Sequence, residues 1–182
     1  TDRELSLLRA LQGPLSQLVT LLTAVQGGYQ GAVMAPTEVL TAQHYLGMVD
    51  LVEDAGMKPS PVDPGTARGQ DGLFGVPNAA DAARPAVRMA LLTGKQASVN
   101  FTEGPVRPGD VARWIADGTV DIAVGTHALI QEGVDFARLG VAVVDEQHRF
   151  GVHQRLELAR KGEAVDVLVM TATPIPRSLV LT

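Results

Sequence analysis

Apolar residues in this chain recur at two spacings, and the switches between them mark its elements. Leu5, Leu8 and Leu11 fall on one helical face across residues 2–12, until Gly13-Pro14 breaks the pattern. Leucines at 15, 18, 21 and 22 predict a second helix from Leu15 to Val25, stopped by Gly27-Gly28. Gly31-Ala-Val-Met-Ala35 is a short buried strand closed by Pro36. Thr37 is placed to cap the next helix, with Glu38 in its first turn and Leu40, His44 and Met48 on one stripe, running to about Ala55.

Residues 56–86 depart from this rhythm. Five prolines and five glycines fall between Gly56 and Pro85, among few large apolar side chains. Such a stretch cannot offset its ordering entropy and reads as a surface insertion, mostly disordered; a partner-binding loop is the alternative. Order resumes with a strand at Val87–Leu92, ending in Thr93-Gly94-Lys95, and residues 96–107 read as a loop. Pro108-Gly-Asp110 opens a short helix containing Trp114, stopped by Gly118. Val120–Val124 and Leu139–Val144 are two further buried strands, separated by a turn near Gly133. A helix over Gly151–Lys161 and a strand over Val165–Met170 complete the series. Strands that alternate with helices predict an α/β fold, a doubly wound parallel sheet with flanking helices.

In such a sheet every strand delivers its C-terminal end to one edge, the edge where open α/β sheets bind ligands. Here those ends share small polar chemistry: Pro36-Thr37, Thr93-Gly94, Gly125-Thr126, Asp145-Glu146 and Thr171-Ala-Thr173. That repetition is the main reason to place a functional site there. Asp145 and Glu146 follow four apolar residues, Val141-Ala-Val-Val144. In nucleotide hydrolases an Asp at this place holds Mg²⁺ through its water shell, and a neighbouring Glu orients or deprotonates the attacking water. The plain alternative is that the two acids start a loop or cap the next helix.

Composition narrows the classes. The 182 residues suffice for one packed domain or one lobe of a larger protein, and 46% hydrophobic with 19% charged residues is globular. No apolar run approaches the length that spans a bilayer, and the first residues show no signal-peptide pattern. The absence of cysteine excludes disulfides and thiolate metal sites and fits a cytoplasmic protein. A net charge of −5 argues against a free-standing electrostatic nucleic-acid binder, so any DNA contact is local or shared with other parts of a longer chain.

Four segments, in order, resemble the motifs of superfamily 2 helicases. Ala35-Pro-Thr-Glu-Val-Leu40 is similar to motif Ia, Gly125-Thr-His-Ala-Leu129 to motif Ib, Asp145-Glu-Gln-His148 to motif II (Walker B, DExH), and Thr171-Ala-Thr173 to motif III. The extended runs Asp145-Glu-Gln-His-Arg-Phe-Gly-Val152 and Thr171-Ala-Thr-Pro-Ile-Pro-Arg-Ser-Leu179 most resemble RecG-type helicases, ATP-driven motors that remodel branched DNA. The transcription-repair coupling translocases are close relatives but more usually carry a second Glu where this chain has Gln147.

The resemblance implies a single RecA-like ATP-binding lobe across residues 1–182, a fragment of a longer motor, with the insertion at about 56–86. It implies ATP and Mg²⁺ as cofactors, Asp145 holding the metal through water, Glu146 as general base, and Gln147 and His148 linking the nucleotide site to Thr171 and Thr173. Arg149 and Phe150 are then placed to couple DNA binding to hydrolysis. Pro36, Thr37, Gly125, Thr126 and His127 would contact the DNA backbone, as short hydroxyls and backbone N–H groups suit contacts that position without reading sequence. The implied partners are branched or duplex DNA, a second RecA-like lobe and an upstream wedge domain, and no membrane.

Other residues have plainer readings. His44 lies on an apolar helix face and reads as packed, Trp114 as core, and Lys95 as solvated unless it meets phosphate. His153 has no partner at a zinc-ligand spacing. His127 and His148 read as strand-end histidines outside a motif context. One departure from the helicase pattern is large. Leu11-Gln12-Gly13 should lead into Gly-x-x-x-x-Gly-Lys-Ser/Thr, the phosphate cradle, yet the chain continues Pro14-Leu-Ser-Gln-Leu-Val-Thr20 with no lysine between Thr1 and Met57. The segment reads as several residues short, and the chain as written should not be a competent ATPase. A non-catalytic pseudo-NTPase module binding DNA or protein is therefore the second expectation. A different α/β hydrolase using Asp145 and Glu146 is a third, for which no nucleophile is visible.

Overall fold

A computed structural model of the chain describes residues 15–59, 86–146 and 152–171. In chain order the elements are α1 (15–26), β1 (Gln30–Met34), α2 (Glu38–Asp54), β2 (Met89–Leu92), β3 (Ala97–Val99), α3 (Pro108–Ala116), β4 (Ile122–Gly125), a 3-10 turn (His127–Ile130), β5 (Leu139–Glu146), α4 (Val152–Ala159) and β6 (Asp166–Thr171). The expected helix over residues 2–12 and the bulk of the 56–86 insertion lie outside the described residues.

The strands form one six-stranded sheet in the order β3-β2-β4-β1-β5-β6. All neighbouring pairs are parallel except β2–β3, an antiparallel hairpin through Ala90↔Val99 and Leu92↔Ala97. The loop expected over residues 96–107 therefore contains a short edge strand. Ala97-Ser-Val99 is only three residues long and half-buried, too short to show a period in sequence.

Alternation along the inner strands sorts side chains to two faces. Val33, Leu91, Ile122, Val124 and Val143 pack beneath α1 and α2, against Leu18, Leu21, Tyr45, Met48 and Val52. Ala32, Met34, Ala90, Leu92, Ala123, Ala142 and Val144 face the opposite layer, with Val111, Trp114 and Ile115 of α3, Leu129 of the 3-10 turn and Leu158 of α4. The fold is thus doubly wound, as the alternation of elements predicts. Trp114 is core, edge-on to Phe101 at 5.5 Å between ring centroids. Each fully buried aliphatic side chain here contributes roughly 1.5–3 kcal/mol to the folded state.

Register sets where the chemistry lands. Met34 of the central strand aligns with Gly125 of β4 and Val144 of β5, and Gly125 aligns with Leu92 of β2. Asp145 therefore projects one residue beyond the end of β1. The strand does not stop at Val144: Asp145 and Glu146 stay in β5, opposite Met170 and Thr171 of β6. The acids are strand residues at the carboxyl edge, not the start of a loop.

Candidate functional site at the carboxyl edge of the sheet

β1 ends in Ala35-Pro36-Thr37, and Thr37 turns the chain into α2. Its extended backbone (φ −132°, ψ 154°) and its hydroxyl, which accepts from Leu40 N at 3.3 Å, make it the N-cap the sequence predicts. Thr37 is exposed, Pro36 half-buried. Thr41 follows one turn on, buried, its hydroxyl donating to the Thr37 carbonyl at 2.7 Å.

The buried face of α2 is Thr41, Tyr45, Met48 and Val52, one position round from the stripe expected through Leu40, His44 and Met48. His44 consequently sits at the border of that face rather than within the core. It is 14% exposed, and its Nε2 lies 2.8 Å from Oδ2 of Asp145, itself 18% exposed. The sequence reading of His44 as a packed residue is incomplete: the ring is largely buried, and the helix register turns it toward Asp145 at the end of β5. Nothing local marks this contact, because the partners stand 101 residues apart. Tyr45 beside it is buried, and that burial, reinforced by the Glu53 carboxylate, pushes its phenol pKa well above the ordinary value.

β4 delivers Gly125, Thr126 and His127 to the same edge. A Cβ on Gly125 would collide with the Leu92 carbonyl and lie 2.6 Å from Leu129 Cγ, so close packing alone requires glycine. Thr126 is buried, caps the 3-10 turn through Ala128 N, and donates its own N–H to the Leu92 carbonyl at 3.3 Å. His127 is exposed. Next along the edge, the β2–β3 turn is built on Thr93, whose buried hydroxyl accepts from Gln96 N at 2.9 Å and Lys95 N at 3.3 Å; Lys95 is exposed. On the other flank, Gln17 of α1 donates to the Met170 sulfur at 2.7 Å, and its buried Oε1 has no partner among the described residues. Nothing in the sequence marks the Gln17 contact, and His44 reads there only as a packed helix residue, since neither lies in a motif-like run.

The edge thus assembles Thr37, His127, Asp145 and the backbone of Glu146 and Thr171. The side chains of Glu146 and Thr171 are not among those described, and Gln147, His148, Arg149, Phe150 and Thr173 lie outside the described residues. The donor set at Asp145 is hard oxygen at a strand end, which fits Mg²⁺, an ion that keeps most of its waters and takes one or two carboxylates. No group of three or more potential metal ligands occurs among the described residues. His153 is largely exposed and reaches only Glu157, at 4.0 Å. A cleft of about 1020 Å³ opens at the opposite edge, lined by Tyr29, Arg138, Leu139, Lys161 and Asp166 among others. It holds none of the predicted site residues and lies at the other end of β5 from Asp145 and Glu146. No helix among the described residues is long and apolar enough to cross a membrane.

No family model matches the chain. It is 39% identical over 180 residues to the ATP-dependent DNA helicase RecG of Streptococcus pneumoniae, with 96% of this chain and 21% of that protein aligned. The RecG of Mycobacterium tuberculosis is 44% identical over 183 residues, with the same coverage, and that of Aquifex aeolicus 36% over 188 residues, covering 99% of this chain and 19% of that protein. Among solved structures, RecG bound to a three-way DNA junction aligns with 88% of this chain and 16% of its own, at TM-score 0.56 and 32% identity. The chain spans about a fifth of the length of the curated relatives it matches. In sequence and in fold, it corresponds to one part, the RecA-like lobe, of the RecG-type ATP-dependent DNA helicases.

Proposed function

We propose that the chain is the first RecA-like motor lobe of an ATP-dependent helicase that remodels branched DNA in repair and recombination, a cytoplasmic protein with its second lobe and wedge domain elsewhere. The domain reading remains a single lobe over residues 1–182 with an insertion at about 56–86. The observation that carries it is the placing of Asp145 beyond the end of β1, on the edge that also presents Thr37 and His127. A pyrophosphate-bearing ligand and its metal are expected at that edge of an α/β sheet.

In this reading Mg²⁺, when bound with ATP, neutralises charge building on the phosphates. Asp145 would hold the metal's water shell, and Glu146 would take the proton of the attacking water. Thr171 stands opposite Glu146 in the β5–β6 register, a position from which motif III senses the acid pair together with Gln147, His148 and Thr173. Thr37 and His127, with Pro36, would meet the DNA backbone through side chains, and Gly125 through its main chain. Thr126 would serve by shaping the turn that presents His127, since its own hydroxyl is buried in the cap. Arg149 and Phe150 would relay DNA binding to hydrolysis.

The phosphate cradle does not occur in the sequence, and residues 15–20, where it should lie or have just ended, are already helical. That favours a second reading for the isolated chain, a non-catalytic lobe that keeps the DNA-facing edge. Calorimetry with Mg²⁺-ATP separates the two. The expected result is no binding in the micromolar range by this chain; micromolar binding would overturn the claim that it is inactive alone.

A further inference from the structure

We infer that His44 is a positioning residue for Asp145: from α2 it fixes the carboxylate so that one oxygen is held by the imidazole and the other is presented to a water-shelled divalent cation. This rests on the proposed reading of Asp145 as the metal-holding acid. The Nε2–Oδ2 distance of 2.8 Å is that of a good hydrogen bond, with the ring N–H donating to the carboxylate. Both side chains are mostly buried, at 14% and 18% exposed, so water competes little for the contact.

The imidazole is itself held in place. Thr37 caps the helix it rides on, Thr41 ties back to the Thr37 carbonyl, and the buried Tyr45 and Met48, one and four residues further on, lock the helix against the sheet. A lone Asp at a strand end would swing about its side-chain torsions. With Oδ2 engaged, Oδ1 is the oxygen left for a cation that dehydrates reluctantly and takes few protein ligands. Partners that orient a carboxylate bound directly to a metal typically contribute about 10–100-fold in affinity, and the lower end of that range is expected for an acid that acts through the cation's waters. The same α2 begins at the exposed Thr37, so the edge segment and the acid are joined through two turns of one rigid element.

Mn²⁺ added alone to the 182-residue chain, followed by NMR, tests this without any need for hydrolysis. Paramagnetic broadening should appear first at the His44 ring and the Val144 amide, and Asp145→Asn should abolish it. His44→Ala should require about tenfold more Mn²⁺ for the same broadening at Val144. His44→Gln, which can still donate an N–H to the carboxylate, should restore most of the loss, and His44→Phe, which fills the space without a donor, should not. If His44→Ala does not fold, the Gln and Phe variants make the same comparison between themselves. Equal Mn²⁺ response in the wild type, His44→Ala and His44→Phe would overturn the positioning role and leave the metal reading standing. Absence of site-specific broadening in the wild type would overturn both.

Discussion

At the amino-terminal edge of the sheet, Gln30 donates to the carbonyls of Ile115 and Val120 and accepts from Arg138 N, all within 2.9 Å. Asp121 beside it accepts from Arg88 N at 2.9 Å. Both are buried, and their polar atoms serve the backbone of neighbouring loops. The carboxyl edge is built differently. There Thr93 and Thr126 are likewise buried in turns, but Thr37, Lys95 and His127 remain exposed above them and Asp145 stays at the surface's margin. Polar residues buried and fully hydrogen-bonded hold the sheet's connections together; those left exposed on a frame of buried ones are available to a ligand. A polar motif is therefore best read together with what its hydrogen bonds already serve.

That difference is most sharply broken at Gln30. Gln30→Leu would leave the Val120 carbonyl and the Arg138 N–H buried without their side-chain partner, while the Ile115 carbonyl keeps Gly118 N at 3.3 Å, and unfolding in urea should show a loss of about 3 kcal/mol. DNA binding by the folded fraction should be unchanged. A loss under 1 kcal/mol would mean that water replaces the amide and that Gln30 does not hold the loops at the amino-terminal edge together.

Much of this architecture is legible in the sequence. Runs such as Gly31–Ala35 and Val141–Val144 have no polar alternative to a strand buried on both faces, and glycines and the Thr37 cap fix where helices stop and start. The carboxyl edge follows from topology alone, because parallel strands place all their ends together. The Gln30 staple and the His44–Asp145 pair are not legible, since they join residues 85 to 108 positions apart whose meeting depends on helix register and loop path. β3 is missed because three residues carry no periodic signal, and the α2 stripe is displaced by one position because Leu40 and Thr41 are both compatible with a half-buried face. Gly125 teaches the reverse lesson: motif resemblance offers a DNA role, while packing against the Leu92 carbonyl already demands glycine.

Gly125→Ala sharpens that point. The added methyl must displace Leu129 or the β2 backbone, a cost of about 2 kcal/mol by the usual scale of overpacking. Thermal unfolding should show it whether or not DNA is bound. A smaller effect is expected at Thr37, where Thr37→Ala removes the cap and should cost about 1 kcal/mol, while Thr37→Ser keeps it. On the proposed helicase reading, Thr37→Ala should also weaken binding to duplex DNA by the longer motor protein in filter or anisotropy assays. Unaltered DNA affinity would remove Thr37 from the DNA-facing set and leave it as a cap.

The smallest effect tests whether α2 is as tightly seated as the His44 geometry requires. The Tyr45 phenol has its pKa raised in the fold, by burial first and by Glu53 second, from the ordinary 10.0. A group whose folded pKa is raised contributes its full stability below the unfolded pKa and loses it as pH climbs from there toward the folded value. Stability should therefore be flat through neutral pH with respect to Tyr45 and begin to fall near pH 10, by about 0.4 kcal/mol at that point, because half of the unfolded phenol ionises while the buried one does not. Tyr45→Phe removes the ionisable group and should unfold along a flatter curve between pH 9 and 11, as read from urea midpoints. Coincident curves for the two proteins would mean that the phenol reaches water in the folded state. The face of α2 that holds His44 over Asp145 would then be looser than the packing of Tyr45 and Met48 implies.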